Sequence, residues 1–306
     1  MSFLSILFAL LLEQVKPLSP TNAVHSAVRN WVRWVMGNFD AGKPQHGWLA
    51  WGLAVLVPCA IVLAVHWALV GLWGWWAAAV WNIAMLYTTL GFRQFSHHFT
   101  QVRDALHAGD EDTARAALAQ WQRMDTRDLP RTELVRQVIE HSVLSAHRHV
   151  FGVFAWYTLL AALGFGPAGA VFYRVSEYVG GVVQRPAKAG AVPLGDAVRA
   201  YAVRAWAAVD WAPARITAMS FAFVGSFEEA VDSWRKHEAL HPLDNDGVVL
   251  AATAGAVNVR LGHTAADDVG QEPELGHLRA VVGLVWRTVV MWMVFLALLS
   301  LARLIG

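Results

Sequence analysis

Ten residues stand where apolar blocks begin or end and carry groups able to grip an anion or hold a proton: Arg93, Asp125, Thr126, Glu140, Arg148, Tyr173, Arg174, Asp210, Trp211 and Arg215. Arginine offers a planar fork matched to carboxylate and phosphate, and charges at the mouth of a membrane region can bind an anionic substrate or a lipid headgroup. The competing reading is that arginines at block ends only anchor topology. Asp210-Trp211-Ala212-Pro213-Ala214-Arg215 is the most specific run, because an Asp five residues before an Arg, with a Pro to set the bend, could close a salt bridge at a helix start. No metal site is expected. Among the 13 histidines, His147 and His149 would point about 160° apart on a helix, whereas a helical zinc pair needs positions i and i+4 and a third ligand. These two, His141 and His97-His98 read as solvated or interfacial. No phosphate-cradling Gly-x-x-x-x-Gly-Lys-Ser/Thr run occurs, and Gly164-x-Gly166-x-x-Gly169 has Pro167 inside it and no strand before it, which rules out a dinucleotide fingerprint.

Apolar elements must position these groups. The chain has 306 residues, 56% hydrophobic and only 15% charged, with 16 Trp and one Cys, and its mean hydropathy is +0.39. A soluble domain carries about a quarter of its residues as Asp, Glu, Lys and Arg, so the charges are too few to cover a globule. A net charge of +1 gives no field to attract nucleic acid. Cys59 alone excludes an intramolecular disulfide framework. From Trp48 to Leu90 there is no Asp, Glu, Lys or Arg. At about 1.5 Å per residue such a helical run reaches roughly 65 Å, about two hydrocarbon cores of roughly 30 Å. It predicts a helical hairpin, Trp48–Val70 and Trp73–Leu90, turning within Gly71–Trp76, with His66 hydrogen-bonded to a neighbouring helix. Val281–Leu301 predicts a further crossing, with Arg287 snorkelling to the headgroups. Ser2–Leu12 reads as a short or tilted crossing, since it lacks the basic region and cleavage site of a signal peptide.

Val150–Val175 is broken by Gly164-Phe165-Gly166-Pro167 and predicts a re-entrant helical pair with both ends cytoplasmic. Gln14–Gly47, with Lys16, Arg29, Arg33 and Lys43 among Trp31 and Trp34, reads as a basic amphipathic stretch beside the membrane. Phe92–His149 carries eight arginines and eight acidic residues and predicts two amphipathic helices as a solvated hairpin, with a break at Gly109-Asp110 and a helix start near Pro130. Ile216–Val224 and Val248–Val257 are too short to span and read as buried helices or re-entrant pieces. The expectation is an all-α, polytopic helical membrane protein with an amphipathic cytoplasmic helical hairpin and re-entrant helices. Its regions are 1–90 (N-terminal membrane region), 91–149 (cytoplasmic hairpin), 150–280 (re-entrant and membrane-apposed) and 281–306 (C-terminal transmembrane helix), with loops 14–47 and 91–149 cytoplasmic. Expected partners are the lipid bilayer, a small anionic ligand, and a membrane protein or second copy of the chain.

The order of the blocks resembles the adenosylcobinamide-phosphate synthase family, CobD/CbiB, and its relative, the AmpE family of inner-membrane regulatory proteins. The residues that carry the likeness are Leu90-Gly91-Phe92-Arg93, Gly109-Asp110 with Ala114-Arg115, Asp125-Thr126, Glu140, Gly166-Pro167-Ala168-Gly169-Ala170 with Tyr173-Arg174, and Trp211-Ala212-Pro213-Ala214-Arg215-Ile216-Thr217-Ala218. The first family implies a bacterial inner-membrane ligase of cobalamin biosynthesis. It joins an amino-alcohol phosphate to cobyric acid, a corrinoid, through an amide bond and consumes nucleotide triphosphate with Mg. On that reading Asp125, Glu140 and Asp210 are the surviving acids and Arg93, Arg174 and Arg215 grip phosphates. The chain departs from the family in its acidic centre. Where the family reads Glu-Ser-Val-Ala-Glu-Asn-x-x-Asp, this chain keeps Glu140 and ends in His147-Arg148. Trp206-Ala207 stands for an Asp-Asp pair, and Asp210 for an Asn. These departures resemble the AmpE branch, which implies a non-enzymatic sensor or regulator that binds a small signal, lipid or partner.

Overall fold

The computed structural model describes residues 2–16, 18, 22–39, 44–122, 125–184, 194–262 and 270–305, with the side chains of all but 2, 44–45, 92–97 and 303–305. Among these residues all regular structure is helical, and Val259 and Gln271 form an isolated bridge. The helices are α1 (Ser2–Val15), α2 (Ala23–Asn38), α3 (Pro44–Trp73), α4 (Trp75–Thr89), α5 (Phe92–His107), α6 (Glu111–Gln122) and α7 (Arg131–Ala146). A π-helical turn, His147–Phe151, follows, and then α8 (Gly152–Ala162), α9 (Ala168–Gln184), α10 (Asp196–Val224), α11 (Phe227–Leu240), α12 (Asn245–Val257) and α13 (Leu275–Ile305). They form two compact units, Met1–Gly91 with Gly152–Pro213 (unit 1) and Phe92–Phe151 with Ala214–Gly306 (unit 2).

Unit 1 is built on a valine ridge. Val171, Val175, Val179 and Val183 recur every fourth residue along α9, which puts them on one helical face. They pack with Ala50, Ala54 and Val55 of α3, Val32, Val35 and Met36 of α2, and Val198 and Ala202 of α10. Ala23–Asn38 of the basic stretch is thus an amphipathic helix, with Lys43 outside the described residues, and it is pinned where the Trp31 indole donates to Ala54 O at 3.3 Å and the His25 ring meets Thr88 O at 2.8 Å. The turn between α3 and α4 falls at Gly74, whose φ of +79° suits a residue without Cβ. α4 has 15 residues, about 22 Å, so this arm is shorter than a hydrocarbon core of about 30 Å. Among the described residues, two helices are long and apolar enough to cross a membrane, His46–Trp73 and Leu275–Ala302. The break at 163–167 reverses the chain, and α8 packs back along α9. Gly166, at φ +53°, sits against the His66 ring, where a Cβ would come within 2.6 Å of Cγ. His66 is buried beside Asn82 of α4, which is buried as well.

Unit 2 corrects the two-helix hairpin expected over Phe92–His149: three helices stand there. Asp110 starts the additional one, accepting from Thr113 N at 3.0 Å and from its hydroxyl at 2.6 Å, a local cap that turns the sequence break into a helix start. Nor is the segment merely solvated, because α7 buries Leu134, Val135, Val138, Ile139 and Val143. Val248–Val257 forms most of α12 and is buried as a helix. Ile216–Val224, read as a separate short piece, instead closes the 29-residue α10, and Ala218 there packs with Val248 and Ala252. Phe151 and Phe221 meet edge to face at 5.6 Å.

Candidate functional site

Charge concentrates at the first turn of α12 in unit 2. Asp244 caps that helix, accepting from Gly247 N at 2.9 Å, and its other oxygen lies 3.1 Å from His237 Nε2. Carboxylates belong here because a helix N-terminus is partly positive. The next two residues each take an arginine from another element. Arg215 of α10 donates from Nη1 to Asn245 Oδ1 at 2.7 Å, and to Glu238 Oε1 from Nε at 2.9 Å and Nη2 at 2.6 Å. Arg148 of the π turn pairs with Asp246. Arg215 is 8% exposed, so its fork is held in a low-dielectric setting where such bonds are strong. The Glu238 side chain is 33% exposed, which leaves this ion pair open to water from the carboxylate side.

The expected salt bridge between Asp210 and Arg215 at a helix start is corrected in two respects. Pro213 lies inside α10 and begins no helix, and Arg215 forms its ion pair with Glu238. Five residues on a helix turn through about 140°, which sends the two side chains to different neighbours. Asp210, fully buried in unit 1, accepts from the Tyr173 hydroxyl at 2.7 Å. Tyr173 is buried too and rests on Trp206, while Gly152 leaves room for its ring. Arg174 pairs with Glu177 at 3.0 Å, and Trp211 is exposed.

The other expected residues have distinct surroundings. Glu140 accepts from Gly262 N at 2.7 Å while Arg136 donates to Gly262 O at 3.1 Å, so α7 clamps that segment. Asp125 pairs with Arg127 at 2.6 Å, whose guanidinium holds the carboxyl down to about 2. Both line a surface cleft of about 490 Å³ with Asp112 and Arg115. Thr126 is buried and donates to Arg115 O at 2.8 Å. Arg93 lies in α5, and its side chain is outside the described ones.

Two histidines correct the solvated reading. His147 is fully buried with Nδ1 2.9 Å from Thr217 Oγ1, and sits in the π turn, a distortion often found at functional sites. A period-3.6 reading of the sequence gives no signal for it. His141 packs against Trp121 at 4.5 Å. Burial, reinforced by the positive Arg148 and by His98, pushes its pKa down to about 4.

A resident divalent cation does not fit these residues. Among the described residues no three His, Cys, Asp or Glu side chains gather as metal ligands, and Glu238, Asp246 and Glu140 already meet an arginine or a backbone N–H. The arrangement suits binding of an anion that displaces an internal carboxylate from arginine.

The class defined here is an all-helical protein with two long apolar helices and an arginine–carboxylate network. The profile of the CobD/Cbib protein family matches residues 4–289, and the chain belongs to that family. It is similar to the cobalamin biosynthesis protein CobD of Stutzerimonas stutzeri, 29% identical over 314 residues, covering 96% of each chain. The protein of the same name from Chromobacterium violaceum is 30% identical over 59% of this chain and 54% of its own. That from Leptospira interrogans is 27% identical over 61% and 58%. No solved structure matches. The comparisons lend the AmpE-like alternative no support.

Proposed function

We propose that this chain acts in cobalamin biosynthesis as a multi-pass protein of the bacterial inner membrane, and that its reaction is the amide ligation of an amino-alcohol phosphate to a corrinoid. The observation that carries the biosynthetic reading is the likeness to the Stutzerimonas stutzeri protein across 96% of both chains. Membrane residence is supported by α3 and α13, whose most apolar stretches are only 22% and 39% buried. A core helix of a water-soluble protein would hide most of that surface.

For the reaction, Arg215 is the group best placed to receive the substrate phosphate. Its fork is preorganised by Asn245, and the Glu238 carboxylate occupies the position a phosphate would take. Asp125 and Arg127 line a second charged surface, in the cleft on α6. Nucleotide triphosphate enters on this reading as a substrate. The test is cobamide production in a cell that lacks its own synthase and is given this chain, with growth on a cobalamin-dependent pathway as the readout. Rescue by the chain, and its loss in Arg215→Ala, is the expected result. Failure of a chain shown to be folded in the membrane would reject the ligase reading and shift the weight to a regulatory role.

A further inference from the structure

The two helical reversals of unit 1 meet at one end. Trp67 of α3 stacks edge-on with Trp75 of α4, ring centroids 6.1 Å apart. A methyl group on Gly164, in the α8–α9 turn, would lie 3.9 Å from Trp67 Cζ2, and Gly166 rests on the neighbouring His66. This shared tip is strongly apolar yet open: Trp73 is 71% exposed, Trp76 81% and Leu163 64%, with Trp75 and Phe165 exposed as well. No Asp, Glu, Lys or Arg occurs between Lys43 and Arg93 or between Arg148 and Arg174. At the other end of α3, the adjoining α2 presents Arg33 to solvent and carries Arg29, and Lys16 is exposed nearby in sequence.

We propose that the tip formed by the α3–α4 and α8–α9 turns is a lipid-contacting surface. Trp73, Trp75 and Trp76 lie at the membrane–water interface of the leaflet opposite to α2, and Leu163 and Phe165 lie in the hydrocarbon below them. The proposal rests on the membrane reading above and extends it to the α8–α9 turn. Four arguments favour lipid as the occupant. Tryptophan concentrates at membrane interfaces, with its indole N–H among the headgroups and its ring in the apolar zone. The surface continues the apolar stretch of His46–Trp73, whose 28 residues extend about 42 Å and so cross a core of about 30 Å with the end at Trp73 in the far interface. Gly164, the residue after Leu163, faces Trp67, six residues or about 9 Å before that end, and this puts Leu163 below the headgroups on the present proposal. Finally, arginines at the α2 end and none at the tip repeat the charge asymmetry by which helices orient.

The test uses the full-length chain with Cys59→Ala as background and three single-cysteine variants, Ala27→Cys on α2, Trp76→Cys and Leu163→Cys, each first shown to be monodisperse in detergent. A water-soluble maleimide is applied to sealed right-side-out and inverted vesicles, before and after detergent. The expected result is labelling of Ala27→Cys from one face only and of Trp76→Cys from the other. Leu163→Cys should react from either face at least about tenfold more slowly than in detergent, because the reacting thiolate does not form in hydrocarbon. Labelling of Ala27→Cys and Trp76→Cys from the same face, or of Leu163→Cys as fast in vesicles as in detergent, would overturn the proposal while leaving a carbonate-resistant membrane protein in place. Release of the chain by alkaline carbonate would reject the membrane reading itself. If Leu163→Cys stays protected in detergent and a bis-maleimide links two chains through it, the tip belongs to a second copy and the lipid assignment fails.

Discussion

Arg215 shows how one side chain can serve structure and binding together. Its fork satisfies Glu238 and Asn245 at 2.6–2.9 Å, so Arg215→Ala leaves a carboxylate and a buried amide without their cation. The expected loss is about 2–3 kcal/mol of stability, read as a lower thermal midpoint in detergent. Glu238→Gln added to Arg215→Ala should recover part of it, since the orphaned charge is gone. Asp125 behaves differently. Its pair with Arg127 is exposed to solvent and screened, so Asp125→Ala should leave the unfolding midpoint unchanged. A fall in cobamide production by that variant would then report on binding at the cleft rather than on folding. The Pro-Ala-Arg run marked Arg215 and Asp210 as candidates in the sequence. Their partners were not, because Glu238 and Asn245 lie 23 and 30 residues away and reach Arg215 only through folding.

Among the elements, α5, α6 and α7 converge on an aromatic sandwich in which Trp121 stacks with His98 on one side and meets His141 on the other. His141 is held neutral down to about 4, against 6.5 for an unperturbed imidazole. As pH falls, the unfolded chain takes up this proton first. The stabilising contribution is complete above about 6.5 and is lost as pH falls toward 4, by roughly 2–4 kcal/mol in all. Thermal midpoints between pH 7 and pH 4.5 should therefore decline in the wild type, and His141→Gln should show a shallower decline. An equal slope in both would place the acid sensitivity elsewhere. The extra helix α6 belongs at this scale too. Its Asp110 cap was visible as a break, but a break marks a helix start only when Thr113 is seen to donate into it.

At the scale of the whole molecule, the open apolar faces of α3 and α13 decide what solvent the protein folds in. Val290, in the middle of the α13 stretch, is 58% exposed. In water, Val290→Arg would be harmless. In a bilayer it opposes insertion by about 2.5–3.5 kcal/mol, so the variant should lose membrane-retained protein after an alkaline wash. An arginine replacing the exposed Leu240 of α11 is the matched control and should change nothing. Equal retention of both variants would argue against α13 as a span.

The sequence by itself determined the helical class, the apolar stretches of α3 and α13, the reversal near Gly74 and the break at 163–167. These follow from composition, from periodicity and from glycine and proline chemistry, all local in the chain. Tertiary structure alone decided that Asp210 meets Tyr173 while Arg215 meets Glu238, that Glu140 clamps Gly262, and that His147 is buried on Thr217. The physical reason is that an ion pair or a buried hydrogen bond depends on which helices pack together. That packing is set by the collective burial of small and β-branched faces such as Val171, Val175, Val179 and Val183, and not by the spacing of the polar residues themselves.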